Sequence, residues 1–213
     1  MMKIGIIGAT GKAGSLILKE AVERGHEVTA IVRDASKLTN KTISVLEKDL
    51  FDLNSADLKQ FDVVVNAFKA ANGQEHLYLE AGNVLINALK NAETRLVVVG
   101  GAGSLFVDEE QKIQLVDTPE FPKEYYATAS KMTKGLQDLQ KTTDVNWTFI
   151  SPAAFFDPNG KRTGTYQKGK DNFIVNKKGD SYVSYADYAI ALVDEIENPQ
   201  HLNERFTLVS EAE

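Results

Sequence analysis

Apolar residues fall into short β-branched runs separated by stretches in which they recur every three or four positions. The runs are Lys3–Gly8, Glu27–Val32, Ile43–Leu46, Asp62–Asn66, Arg95–Gly100, Trp147–Ile150 and Arg205–Val209. Those in mid-chain, such as Val63-Val64-Val65-Asn66 and Leu96-Val97-Val98-Val99-Gly100, are continuously apolar rather than alternating. Strands covered on both faces of a parallel sheet read this way. Between the first two runs, Leu16, Ile17, Glu20, Ala21 and Arg24 divide Lys12–Arg24 into an apolar stripe and a polar back, and Gly25 stands where a helix stop is wanted. A longer helix is expected from about Gln74 to Asn91, with Leu77, Leu79, Val84, Leu85 and Leu89 available for packing, and a last one over Tyr185–Glu197. Regular strand–helix alternation predicts an α/β fold, a doubly wound and mostly parallel sheet, as one domain over 1–213. The pattern loosens after Pro152. Residues 157–183 hold Pro158, Gly160, Gly164, Gly169 and Gly179 among short β-branched or aromatic pieces, which predicts a loop-and-hairpin insertion over the sheet's C-terminal edge.

Composition narrows the class without changing the fold. At 213 residues, 43% hydrophobic and 25% charged, the chain suffices for one well-buried core. A formal net charge of −6 with no Lys/Arg-rich run argues against a nucleic-acid partner. The absence of cysteine excludes disulfides, thiolate metal sites and cysteine nucleophiles, and suits a reducing compartment. The opening Met1-Met2-Lys3 and its apolar run are too short and too glycine-rich for a signal peptide. No stretch approaches the roughly 18 apolar residues of a membrane span. A cytoplasmic protein with no membrane partner is the expectation, and a homodimer stays open.

The chemistry concentrates at the first strand–helix junction, Gly8-Ala9-Thr10-Gly11-Lys12-Ala13-Gly14. Gly8 suits a tight turn, Gly11 lets backbone approach a pyrophosphate, and Gly14 lets helix and strand pack closely. The pyrophosphate then rests on free N–H groups at the positive end of the helix. A glycine trio alone is weak, but a strand before and a helix after are the context that gives it meaning as a Rossmann-type dinucleotide site. The bland alternative is a glycine-rich turn with no ligand. The second strand ends in Val32-Arg33-Asp34. A carboxylate at that strand end accepts from the ribose 2′-hydroxyl of NAD, whereas the guanidinium of Arg33, with Lys12 and Lys37 nearby, suits a 2′-phosphate. NADP(H) is therefore favoured over NAD(H), with ribose binding by Asp34 as the alternative. Asp49 and Leu50 follow the third strand, where they would meet the adenine amine and cover its ring; Asp49 reads equally well as a helix cap. Ala67 and Phe68, after the fourth, would edge the nicotinamide side.

The same residues, with Val98-Val99-Gly100-Gly101-Ala102-Gly103-Ser104-Leu105, Trp147 to Phe156, Arg162-Thr163-Gly164 and Ser184 to Ala189, resemble the atypical short-chain dehydrogenase/reductases. The closest likeness is to the NADH-flavin reductase group related to biliverdin reductase B and to NmrA-like proteins. It covers nearly the whole chain. The resemblance implies that Pro152, Ala153 and Ala154 lie beside the nicotinamide, and that aromatics wall an acceptor pocket. Phe155, Phe156 and Tyr125 are the candidates for that wall, with Ser104 as a hydrogen-bond donor. Core packing is the plainer reading of the two phenylalanines, and a turn residue that of Ser104.

The superfamily's acid–base pair is missing. Many members carry Tyr and Lys four residues apart on one helix. Here Lys131 follows Tyr126 by five residues and Tyr125 by six. At about 100° per residue neither pair shares a face. His26, His76 and His201 are scattered, and no metal-ligand or Ser-His-Asp constellation is visible. The catalytic residues stay unassigned. The leading reading is hydride transfer from NAD(P)H to a small-molecule acceptor with a flat aromatic ring, a flavin or quinone, where positioning does most of the work. A non-catalytic NADP(H)-binding redox sensor is the alternative. A nucleotide-sugar epimerase or dehydratase is less favoured, since it needs the missing pair.

Overall fold

A computed structural model describes residues 1–40 and 42–212; Lys41 and Glu213, both inside the predicted 1–213 domain, lie outside the described residues. The first half alternates except between β2 and β3, which only a 3₁₀ turn at Ala35–Lys37 separates: β1 (Lys3–Ile7), α1 (Lys12–Glu23), β2 (Glu27–Val32), β3 (Ser44–Glu47), α2 (Ser55–Leu58), β4 (Val63–Asn66), α3 (Leu77–Leu89) and β5 (Arg95–Val99). The second half runs α4 (Lys123–Gln140), β6 (Asn146–Ser151), β7 (Phe155–Asp157), β8 (Gln167–Gly169), β9 (Tyr182–Ser184), α5 (Tyr185–Glu197) and β10 (Glu204–Val209).

Eight strands form one sheet in the order β3-β2-β1-β4-β5-β6-β10-β8, parallel except for β8. Side-chain parity sorts the core onto two faces. Ile4, Ile6, Val63, Val65, Val97, Ile150, Phe206 and Leu208 pack with Ile17 and Ala21 of α1 and Tyr188, Leu192 and Ile196 of α5. Ile7, Ile31, Val64, Leu96, Trp147 and Phe149 face the other way, onto Leu85 and Leu89 of α3 and Leu136 and Leu139 of α4. Both faces are covered, which is why the central runs carry no alternation in the sequence.

Chain order reverses between β1 and β4, whose registers run Ile7 against Asn66. There the crossovers leave toward opposite faces and a crevice opens beyond the carboxyl ends of the strands, the usual ligand position in such sheets.

The segment 157–183 departs from expectation. Among the described residues it holds no hairpin. Gln167–Gly169 instead pairs antiparallel with Val209–Thr207 on the free edge of β10, and Tyr182–Ser184 pairs in parallel with Phe155–Asp157. The physical reason is the open ladder of β10, whose backbone groups take the nearest extended piece of chain. The connecting loop is latched to helices. Asp187 accepts from the Thr163 and Gly164 N–H groups at 2.8 and 2.9 Å and from the Thr163 hydroxyl at 2.7 Å. Arg162 reaches Glu20 of α1 at 3.0 Å, and the Tyr166 hydroxyl donates to Asp194 of α5 at 2.6 Å.

Candidate functional site

The glycine-rich junction is built as close packing requires. Gly8 has φ +76°, in the left-handed region, and a Cβ there would stand 2.6 Å from the Ala67 carbonyl oxygen. At Gly14 a Cβ would sit 2.2 Å from the Gly8 carbonyl oxygen, so β1 and α1 approach as only a glycine allows. The Gly11 N–H donates to the Gly8 carbonyl at 2.9 Å and closes the turn. Gly11 itself is the N-cap of α1. Its N-cap makes no side-chain hydrogen bond, and no acidic residue occupies the first turn. A helix normally satisfies these N–H groups with a capping oxygen or an anion. Here none of the described side chains does so. The end of α1 therefore has the donors and the dipole that a pyrophosphate needs.

This helix end opens on a cleft lined by Gly8, Thr10, Gly11, Ile31, Arg33, Lys48, Asp49, Leu50, Phe51, Ala67, Phe68 and Lys69. It brings together residues from the ends of four strands that the sequence marks separately. At its far side Arg33 is 78% exposed and lies 3.9 Å from Asp49, too long for a strong pair. The adjacent carboxylate is committed elsewhere. Asp34 accepts from the Ser36 N–H at 3.0 Å and the Ser36 hydroxyl at 2.6 Å, and these bonds hold its carboxyl below the ordinary range. Lys37, 3.7 Å from Asp34, is 70% exposed beside it. Of the two roles open to Asp49, the cap is formed, accepting from the Phe51 N–H at 3.1 Å. Lys12 and Thr10 are exposed, Ala13 is half-buried, and Leu50 is buried with its edge on the cleft.

Sequence patterning missed Lys48, Phe51 and Lys69. Lys48 is tied to Asp57 at 2.7 Å, which leaves Lys69 as the second exposed cation of the cleft. Phe51 meets Phe68 edge-on at 5.8 Å, and Phe68 meets Tyr78 of α3 at 5.9 Å, so a ring ladder runs from the cleft toward the crevice.

On the acceptor side Pro152 and Ala153 are buried and Ala154 is exposed, its N–H bonded to the Ser181 hydroxyl at 3.1 Å. Phe155 is 60% exposed against Tyr182, whose hydroxyl donates to Asp157 and is pushed up to about 12, chiefly by burial. Phe156 is half-buried, 3.9 Å from the Tyr185 ring and 4.8 Å from that of Tyr188. Ser104 is buried and accepts from Arg205 at 3.1 Å, while Tyr125 is 62% exposed on α4. The two therefore stand at opposite extremes of exposure.

Helix α4 is a continuous α-helix with no bulge to bring Tyr126 and Lys131 into line. Tyr126 is exposed, whereas Lys131 lines a small cavity with Asn66, Phe68, Tyr78 and Met132. His26 pairs with Glu197 at 3.0 Å and His201 with buried Glu195 at 2.8 Å, both far down the helices from the cleft. Among the described residues no group of three or more His, Asp or Glu could hold a metal, and no helix is long and apolar enough to cross a membrane.

Comparison with known proteins agrees with this geometry. The model of the NAD(P)H-binding family matches residues 8–199. "Uncharacterized protein YwnB" of Bacillus subtilis is 69% identical over 213 residues, all of both chains. A crystal structure from Streptococcus pneumoniae, of a "putative NADH-flavin reductase", superimposes with a TM-score of 0.95 at 44% identity, covering 99% of this chain and 100% of that one. One from Bacteroides thetaiotaomicron, called a "putative epimerase", gives 0.85 at 37% identity and 98% of both chains.

Proposed function

This chain belongs to the NAD(P)H-binding family, and on that premise we propose an oxidoreductase that uses NADPH in preference to NADH to reduce a flat aromatic acceptor such as a flavin or quinone. The observation that carries the reading is the uncapped end of α1 opening on a cleft that finishes at an exposed guanidinium. The residues fit the cofactor. Backbone N–H groups of the first turn would hold the pyrophosphate, with Thr10, Lys12 and Ala13 around it. Leu50 and Asp49 would edge the adenine, and Ala67, Phe68 and the Pro152–Ala154 turn would flank the nicotinamide. Arg33 and Lys37 would read the 2′-phosphate, because Asp34 is spent on Ser36 and does not compete for the ribose.

When bound, NADPH supplies a hydride at C4 of its nicotinamide. This chain's part is to hold the acceptor against that face and to keep water from the interval between them. Phe155 and Phe156 would wall the acceptor. The S. pneumoniae neighbour's name supports a flavin, and the missing Tyr–Lys pair disfavours epimerase chemistry, whatever the B. thetaiotaomicron neighbour is called.

Binding and turnover are measured together. Calorimetry is expected to show NADPH binding tighter than NADH, and Arg33→Ala to lose about 1.5–3 kcal/mol with NADPH, the worth of a charge-assisted hydrogen bond, and little with NADH. Equal losses with both cofactors remove Arg33 from phosphate recognition. NADPH oxidation on adding flavins or quinones supports the enzyme; binding without turnover against any of them makes the protein a redox sensor.

A further inference from the structure

The site as derived has no group to supply a proton, yet two-electron reduction of a flavin or quinone consumes one. The seven tyrosines can be sorted by what their hydroxyls do. Those of Tyr166, Tyr182 and Tyr188 donate to Asp194, Asp157 and the Ile150 carbonyl. Tyr125 and Tyr126 stand in solvent on α4. Two remain, Tyr78 and Tyr185. Both are half-buried; the Tyr78 hydroxyl accepts from the Ala70 N–H, and that of Tyr185 donates to no other group among the described residues.

Their placement follows from the topology. Tyr78 is the second residue of α3 and Tyr185 the first of α5, so each stands at a helix start, above the carboxyl ends of the strands. The two helices cover opposite faces of the sheet. Even so, Phe68 and Phe156, on which they pack, follow β4 and β6, only two strands apart in the sheet, and the charge of an ionised Tyr185 would push Tyr78 upward. Tyr78 is braced by Phe68, which follows β4, and Tyr185 by Phe156, which follows β6 and also packs on Tyr188. Tyr188 in turn is tied to the end of β6 at Ile150, at 2.8 Å. Both phenols thus stand above the carboxyl ends of the strands, Tyr78 beside Phe68 and Tyr185 beside Phe156, two residues past the Pro152–Ala154 turn.

We propose that Tyr185 is the acceptor-side proton donor of this site and that Tyr78, facing it from the other helix layer, fixes the acceptor ring between them. The proposal rests on the reductase reading. The C4–H bond of the dihydronicotinamide breaks with its electron pair, which forms the new bond to the acceptor ring. The cofactor is oxidised and the acceptor reduced by two electrons. The negative charge left on the acceptor's heteroatom takes the phenolic proton of Tyr185, and the phenolate recovers one from water. Burial pushes the Tyr185 phenol up, so it keeps its proton through the neutral range and is ready to donate.

The test uses Tyr185→Phe and Tyr78→Phe in single-turnover NADPH oxidation with FMN and a water-soluble quinone. Tyr185→Phe is expected to slow reduction about 10²-fold, as loss of a general acid does, and to abolish the solvent deuterium isotope effect with NADPH affinity intact. Tyr78→Phe is expected to raise KM for the acceptor more than it lowers kcat. A second readout needs no turnover. NADP⁺ carries a positive nicotinamide ring, so its binding should lower the titration of one phenol, seen in tyrosinate absorbance, in the wild type and not in Tyr185→Phe. An active enzyme whose Tyr185→Phe variant keeps its rate within twofold, or whose tyrosinate titration ignores NADP⁺, overturns the proton donor alone. A wild type that binds NADPH and reduces neither acceptor overturns the reductase reading and the donor with it.

Discussion

The glycines of the first junction separate two roles that a motif leaves fused. A methyl on Gly14 would drive into the Gly8 carbonyl, backbone against backbone, while at Gly11 the nearest atom stands 3.2 Å away. Gly14→Ala should therefore cost about 1–3 kcal/mol, as overpacking does, and weaken NADPH binding as α1 is pushed outward. Gly11→Val should cost less stability than Gly14→Ala, since the Gly8 carbonyl oxygen need give way only slightly, and still abolish binding by standing at the N-cap where the pyrophosphate would approach. Thermal melts paired with calorimetry check both. Normal affinity in a folded Gly11→Val protein would refute the whole placement of the pyrophosphate. At Arg33, sequence and structure argue differently for the same preference. The sequence offers a basic residue at the right place; the structure adds that its acidic neighbour is already bonded to Ser36.

α1, α3 and α5 were legible from their period, whereas α4, the longest helix at 18 residues, was read only as the stretch from Tyr125 to Lys131. α1 ends one residue before its predicted limit, and α3 is shorter at both ends than Gln74–Asn91, where turns at the N-terminus and a positive φ at Asn91 cut it off. The three-residue strands β7, β8 and β9 carry no period, and their pairing depends on which sheet edge is open. The four-residue helix α2 escaped as well, although its cap is local: Asn54 accepts from the Asp57 N–H at 3.3 Å and Asp57 from the Asn54 N–H at 2.9 Å. Asp57 also accepts from Lys48 at 2.7 Å, and this bond above all, with that from the Asn54 N–H, holds its carboxyl below the usual range. A depressed carboxyl stabilises the fold above its unfolded value near 4 and loses that contribution as the pH falls through its lower folded value. Asp57→Asn should thus lower stability at pH 7 by about 0.5–2 kcal/mol, as a lost cap does, seen as a lower melting temperature, with the difference shrinking below pH 4. A gap unchanged at pH 3 would show that the charge is not what matters. Tyr78 and Tyr185 were the least legible. Nothing local in the sequence relates two residues on helices that cover opposite faces of the sheet.

As a whole, the molecule is two apolar layers kept apart by one continuous sheet. α1 and α5 belong to one, α3 and α4 to the other. Above the carboxyl ends of β4 and β6 each layer presents an aromatic side chain at a helix start, Tyr78 on α3 and Tyr185 on α5, where backbone hydrogen bonding is thinnest. Such ends open by local fluctuation well below the cost of global unfolding. A ligand held between Phe68 and the Pro152–Ala154 turn would press on both starts at once. The first turns of α3 and α5 then become one breathing unit instead of two. Amide hydrogen exchange should slow in both by the same factor when NADP⁺ binds, far more than in the lower turns of either helix. If only α1 were protected, the two layers would be neighbours that share a wall and nothing else.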